Sequence, residues 1–315
     1  MIDYVKAYFK DKNVVESNLL RKDCLHKVVA VHNFQKKDEY EHPIRAKIDN
    51  MFVNISKKQG YVENSLHKHF NALTGEEVMN YDDFYCCDLL SSLEALENEL
   101  NYPLKDMSLT NLEFGFNIDL DYDPTTFLNH NLLMYNLKTP CIDHKNKKNM
   151  KLKKFSYTNY EIKVYDKSLQ YGLKDRNPNI LRVEVKYKTK KELNGFNIYT
   201  LEDLKDINNL YLLFADFLKK FEQLLIVDSY YGDDRMTKKE QRFFKECLNY
   251  QYWLELKRKY HKNTFGNKFR AFKKLIKDYE LDQWKSDLRL LIVEKFNQLI
   301  TSDCDNLTTY TRYVA

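Results

Sequence analysis

The sequence predicts an α+β protein: an antiparallel sheet with helices packed on one face, followed by an all-helical C-terminal region. Three observations point there. Runs of alternating apolar and polar residues recur through roughly the first 190 positions. After Gly195 those runs give way to longer stretches of helical periodicity, introduced by capping-box patterns at Thr200–Asp203 and Thr237–Glu240. Finally, 43% hydrophobic residues with only 7 Gly and 5 Pro in 315 supply a substantial core and exclude collagen-like or loop-dominated sequence.

Taken in order, strands are expected at 2–9, 25–34, 44–48, 51–56, 61–70, 108–120, 152–157, 160–168 and 179–188. Between them, Phe84, Leu90, Leu93, Leu96 and Leu100 recur at near-helical spacing and predict a helix over 81–100. Asp123-Pro124 opens another, with Asp as N-cap and Pro in the first turn. Helical runs follow at 204–227, 238–260, 264–279 and 281–300. The change of character divides the chain into an α+β domain, 1–196, and a helical one, 197–315.

No apolar run reaches the ~18–20 residues that span a bilayer, and Met1-Ile2-Asp3-Tyr4 does not read as a signal peptide. Six Cys occur without a Cys-x-x-Cys pair or zinc spacing, and the adjacent Cys86-Cys87 suggests buried, reduced thiols. A soluble protein of the bacterial cytoplasm, without membrane partners, is the expectation. Net charge is only +5, but it is unevenly placed. Residues 144–191 carry 15 Lys/Arg against 4 Asp/Glu, and residues 238–278 carry 13 against 4. Two basic blocks on an otherwise acidic chain fit a binder of phosphate backbones, or simply two solvated faces. Lys151, Lys153, Lys154, Lys163, Arg182 and Lys186 in the first block, and Lys257, Arg258, Lys268 and Arg270 in the second, are the candidate DNA contacts. Phe155, Tyr157, Tyr160, Tyr187, Tyr250, Tyr252 and Trp253 interleave these blocks and can stack bases or fill a core.

Side chains two apart on a strand share a face. In Leu112–Leu120 every even position is apolar, so Glu113, Asn117 and Asp119 point away from the core. In Ile162–Lys167 the branched residues face inward and leave Lys163, Tyr165 and Lys167 together. In Ile180–Tyr187 the polar set is Arg182, Glu184 and Lys186. Ser65–Phe70 read as a strand sets His67 and His69 opposite Leu66 and Phe70. On one shared sheet these residues form the inventory of metal-dependent phosphoryl transfer. Glu113, Glu184, His67 and His69 can ligate Mg²⁺ or Mn²⁺, Tyr165 can attack phosphorus, and Lys167 can lower the tyrosine pKa or neutralise the transition state. The same residues can instead be cross-strand ion pairs on an exposed sheet face.

The segments Leu66-His67-Lys68, Asn111–Ile118, Ile162–Lys167 and Leu181–Lys186, together with the opening Met1-Ile2-Asp3, the stretch 193–204 and the basic, aromatic run 253–275, resemble the replication initiation protein of filamentous phages (the gene II/X product family). That resemblance implies a rolling-circle initiator related to the paired-histidine, tyrosine-dependent (HUH) endonucleases. Such a protein nicks one strand of double-stranded phage or plasmid DNA at an origin, stays linked to the 5′ phosphate, works with a host helicase and polymerase, and rejoins the displaced single strand. By motif, Tyr165 matches the nucleophile, Lys167 the lysine of the Tyr-x-Lys signature, Glu113 and Glu184 the acidic residues, and His67 the upstream histidine. Lys68 stands where a paired-histidine motif carries a hydrophobe. A non-catalytic origin-binding regulator and a relaxase or transposase of a mobile element are the alternatives.

Overall fold

The computed structural model describes residues 1–21, 27–31, 42–136, 138, 140, 151–173, 178–229 and 235–301. Eleven strands and eleven α-helices are distributed along them. The first half runs β1 (Ile2–Phe9), α1 (Lys12–Leu19), β2 (Val28–Val31), β3 (Ile44–Ile48), β4 (Met51–Ile55), β5 (Gly60–Ser65), α2 (Leu66–Thr74), α3 (Cys86–Leu100), β6 (Met107–Asp119), α4 (Pro124–His130) and β7 (Leu132–Tyr135). The second half runs β8 (Leu152–Ser156), β9 (Tyr160–Asp166), α5 (Lys167–Tyr171), β10 (Ile180–Tyr187), α6 (Lys190–Asn194), α7 (Ile207–Phe221), β11 (Leu224–Ile226), α8 (Lys238–Cys247), α9 (Tyr250–Lys259), α10 (Lys262–Asp278) and α11 (Gln283–Thr301). Positions 25–26 and 32–34 of the expected strand, and 144–150 and 174–177 of the first basic block, lie outside the described residues.

Nine strands form one antiparallel sheet in the order β2-β3-β4-β5-β1-β6-β10-β9-β8. The alternation along the central strands does what the sequence pattern predicts. Leu112, Phe114, Phe116 and Ile118 of β6 face the core with Val183 and Val185 of β10 and Ile162 and Val164 of β9. Helices from beyond residue 197 cover that face: Phe116 meets Phe214 and Phe217 of α7 and Phe296 of α11, edge-on at 5.1–6.2 Å. Such aromatic pairs add to simple area burial. The fold class is therefore α+β, with an antiparallel sheet, helices and a helical C-terminal region.

A second, smaller core gathers α8, α9 and α10 around Trp253, whose ring lies within 5.7 Å of Phe265, Phe269 and Phe272. Its Nε1–H donates to the Cys247 carbonyl at 2.7 Å, which satisfies the one polar atom of a fully buried indole. Leu133, Met134 and Leu225 join this core from the two-stranded pair β7–β11. β11 is a correction to the strand-free reading of the C-terminal half. Three apolar residues separated from a helix by two positions carry too little periodicity to be told from its continuation.

Two further boundaries differ from expectation. The helix expected over 81–100 begins at Cys86, because Tyr85 supplies the N-cap and Asp88 closes a capping box back onto the Tyr85 amide. The strand expected over 61–70 ends at Ser65. The Ser65 hydroxyl caps α2 by accepting from the Lys68 amide at 3.1 Å, and Gly75, in the left-handed region at φ 76°, ends that helix. Cys86 and Cys87 are half-buried at the start of α3, and Cys247 is buried at the end of α8. Among the described residues no helix is long and apolar enough to cross a membrane.

Candidate active site

The polar face of β1, β6, β9 and β10 concentrates the chemistry. Register places Glu184 between Gly115 on β6 and Lys163 on β9, Arg182 between Asn117 and Tyr165, and Lys186 between Glu113 and Glu161. Gly115 permits this spacing. A Cβ there would sit 2.4 Å from the Val183 carbonyl oxygen and 2.5 Å from the Glu184 Cβ, so any other residue would force the strands apart beneath Glu184.

Asp3 completes the set. The β1–β6 register shifts between Ile2 and Val5, and a bulge of this kind turns consecutive side chains to one side. Asp3 and Tyr4 both reach the polar face: Asp3 meets the Arg182 guanidinium at 3.3 Å, and the Tyr4 ring lies under the Lys186 ammonium at 4.1 Å. Carboxylate oxygens of Asp3, Glu113 and Glu184 all lie within 4.8 Å of one another, and all three residues are buried.

Three cations balance these three carboxylates. Lys163 Nζ bridges Glu113 Oε1 at 2.9 Å and Glu184 Oε1 at 2.8 Å. Lys186 Nζ meets Glu113 Oε1 at 2.9 Å, and Arg182 Nε donates to Glu184 Oε2 at 2.7 Å. The cross-strand pairing that was the alternative reading is thus present, as a buried network. Burial alone would raise the Glu184 carboxyl, but Lys163 and Arg182 override it and hold the group well below the usual carboxylate range. Burial opposes the charged form of Lys163 too, and Glu184 and Glu113 again prevail and raise its pKa.

Tyr165, 5% exposed, donates its hydroxyl to Glu184 Oε2 at 3.3 Å. Burial, and then the Glu184 charge, push the phenol well above its ordinary value. Lys167 is not on the strand as expected. Asp166 ends β9 by accepting from the Leu169 amide at 2.7 Å, so Lys167 opens α5. Its side chain nevertheless returns to the tyrosine, with Nζ 5.5 Å from the Tyr165 ring centroid. Burial, aided by Arg182, lowers the ammonium to about 7.

Asn80, which no periodicity marks, lies over this cluster. Its amide donates to Asp3 Oδ2 at 2.6 Å, and its carbonyl oxygen accepts from Lys167 Nζ at 2.8 Å and from the Tyr171 hydroxyl. Asn117 holds the same segment by donating its side-chain amide to the main-chain carbonyl of Asn80 at 3.1 Å. Asp3, Tyr165, Lys167, Arg182 and Glu184 are consequently at most 7% exposed.

The histidines do not share a face. On a helix, residues two apart lie about 200° apart, and α2 sends them to different partners. His67 stacks on Phe84 at 4.7 Å with Nε2 3.0 Å from Asp82 Oδ1, whereas His69 Nδ1 meets the Ser92 hydroxyl at 2.9 Å. Burial lowers both imidazole pKa values. Asp3 takes the third place beside Glu113 and Glu184 that the strand reading gave to the imidazoles. The signal for Asp3 is the Met1-Ile2-Asp3 opening; alternation alone hides it behind the bulge.

The DNA-contact candidates divide. Lys163, Arg182 and Lys186 are committed to the carboxylates. Lys153 donates to the Leu132 carbonyl, and burial lowers its ammonium to about 8. Lys268 donates to the Tyr252 hydroxyl at 3.2 Å, and Lys154 is half-buried. Lys151, Lys257, Arg258 and Arg270 are exposed.

As donors, three oxygen-bearing carboxylates suit a hard divalent cation such as Mg²⁺ or Mn²⁺. They fit such an ion in chemistry and in mutual spacing, with the Lys163 ammonium as a competitor for Glu113 Oε1 and Glu184 Oε1. No family model and no curated protein matches the chain. A solved structure, a rolling circle replication initiator protein from Geobacillus stearothermophilus, is similar at 11% identity and a TM-score of 0.39, covering 85% of this chain and 95% of that chain.

Proposed function

We propose that this chain is a site-specific DNA strand transferase of the rolling-circle initiator kind, with Tyr165 as nucleophile. One observation carries the reading: a buried tyrosine hydroxyl bonded to one of three clustered carboxylates, beside a lysine whose pKa is lowered to about 7. The order of motifs shared with the filamentous-phage initiators supports it. We place the nicking chemistry within residues 1–196 and duplex contacts within 197–315, chiefly 238–278.

In the proposed reaction the Tyr165 Oη attacks the scissile phosphorus. The P–O3′ bond breaks, the 3′ oxygen leaves as a hydroxyl after taking up a proton, and the 5′ phosphate remains esterified to the tyrosine. Attack by a free 3′-OH on that ester reverses the step and rejoins the strand. Burial holds the phenol protonated, so attack needs a base. Glu184 accepts the phenolic hydrogen bond, but its depressed pKa makes it a weak base. Lys167, neutral above about pH 7, is the stronger acceptor. Arg182 holds Glu184 and Asp3 in place and adds positive charge beside the reacting phosphate. Asp3, Glu113 and Glu184 would hold Mg²⁺ or Mn²⁺, which would supply Lewis-acid polarisation of the phosphate.

The test is a denaturing gel of labelled single-stranded and supercoiled origin DNA incubated with the protein, with Mn²⁺ or with EDTA. A covalent protein–DNA adduct that needs metal and disappears in Tyr165→Phe is the expected result. An adduct retained by Tyr165→Phe removes the tyrosine from the mechanism. The near-complete burial of Tyr165 and Lys167 favours one other reading, a non-catalytic origin-binding regulator, and binding with no adduct on either substrate would establish it.

A further inference from the structure

The unit α8–α10 ends in its longest helix. α10 runs 17 residues and holds six Lys/Arg against a single carboxylate, Asp278. Phe265, Phe269, Phe272, Leu275 and Ile276 turn toward the Trp253 core. At about 100° per residue, the opposite side carries Asn263, Asn267, Arg270 and Lys274, and all four are exposed. This stripe spans about 16 Å of helix at ~1.5 Å per residue. Small residues flank it: Ala271 on one side and, on the other, Gly266, where an added Cβ would meet nothing within 4 Å.

We propose that this face of α10 lies in the major groove of B-form DNA and reads bases there. The inference rests on the initiator reading above and goes beyond backbone contact. Its composition argues for base reading. A face that only neutralised phosphates would need nothing but cations, which α9 supplies at Lys257 and Arg258. Here the line most remote from the core begins with two uncharged amides. Asparagine pairs bidentately with the adenine edge and arginine with the guanine edge, and the major groove admits a helix. Arg270 donates to Asn267 Oδ1 at 2.5 Å, so the two side chains are held side by side before any ligand arrives. The cation excess of the helix matches the phosphate walls of the groove. The stripe bears no aromatic ring to stack unpaired bases, and the major groove of A-form RNA is too narrow for it.

The test uses the full chain and a pool of random-sequence DNA duplexes, selected by binding near physiological salt and then sequenced. Wild-type protein should enrich a motif. Asn267→Ala should relax the preference at one position. Arg270→Lys, which keeps the charge but not the bidentate fork, should lower affinity for the enriched duplex by roughly 5- to 150-fold and leave affinity for unselected duplex unchanged. Lys257→Ala should weaken all duplexes alike and flatten the salt dependence by about one unit of slope. No enriched motif, an unchanged motif in both α10 variants, or tighter binding to A-form RNA or anionic vesicles than to the duplex pool would each overturn the proposal. Strand cleavage is scored separately as the covalent adduct. An adduct without a motif removes base reading and leaves nicking intact; a motif without an adduct does the reverse.

Discussion

Replacing Lys163 by methionine separates an ion-pair network from a metal centre. The Lys163 side chain is 19% exposed and bridges Glu113 and Glu184, whose side chains are 11% and 3% exposed. Removing it leaves two carboxylates beside Asp3 with only Arg182 and Lys186 to balance them. Breaking a buried pair costs ~3–5 kcal/mol, and the partial exposure of the lysine puts this one at the lower end, about 3 kcal/mol. For a chain of this size that is a fall of about 6 °C in Tm. A divalent cation competes with the ammonium for the same oxygens, so the variant should bind it more tightly than the wild type does. At a free concentration ~100 times Kd, binding restores about 2.7 kcal/mol, nearly all of the loss. The assay is thermal unfolding of both proteins in EDTA and across a Mn²⁺ titration. The expected result is a large Mn²⁺-dependent recovery in Lys163→Met and a small shift in wild type. Equal shifts in the two proteins, or none in either, would refute a metal on these carboxylates.

Other substitutions probe separate parts of the structure. Gly115→Ala should destabilise by about 3 kcal/mol, measured by urea unfolding, because its Cβ meets the β10 backbone at under 3 Å; a neutral result would show that the strands separate freely. Phe116→Ala should cost ~3–5 kcal/mol and lower the cooperativity of unfolding, since α7 and α11 both rest on that ring. Between pH about 7 and the ordinary lysine value of 10.5 the unfolded chain carries a proton on Lys167 that the folded chain lacks, so stability should rise with pH through that window. Adduct formation should rise through pH about 7 in parallel, and Lys167→Met should abolish both inflections. A pH profile identical in the variant assigns the titration elsewhere.

Strand alternation in the sequence tells which face most of the candidate-site residues take, and the β6–β10–β9 register brings them together. Glu113, Lys163, Tyr165, Arg182, Glu184 and Lys186 occupy the polar face that the apolar residues of β6, β9 and β10 define by exclusion. Alternation fails where backbone irregularity or capping takes over. Leu66 and Phe70 are four apart, so they satisfy helical as well as strand periodicity, and the Ser65 cap with Gly75 decides for the helix. Asp3 is hidden by a bulge and Asn80 by its place in an irregular segment. Lys167 leaves the strand yet keeps its expected neighbour, because a lysine is long enough to reach back over one helical turn.

Apart from Leu133 and Met134 of β7, the small core around Trp253 is drawn from the chain between α7 and α11, two helices that both rest on Phe116. It is pinned at both ends to one sheet, so it behaves as an inset and not as an appendage. A truncation just after α10 would leave that inset whole but strip Phe296 from the main core and undo the sheet's cover. For anyone dividing the protein, α8–α10 cannot be cut out without stripping the cover from Leu133 and Met134, and the last described helix has to stay with the first 200 residues.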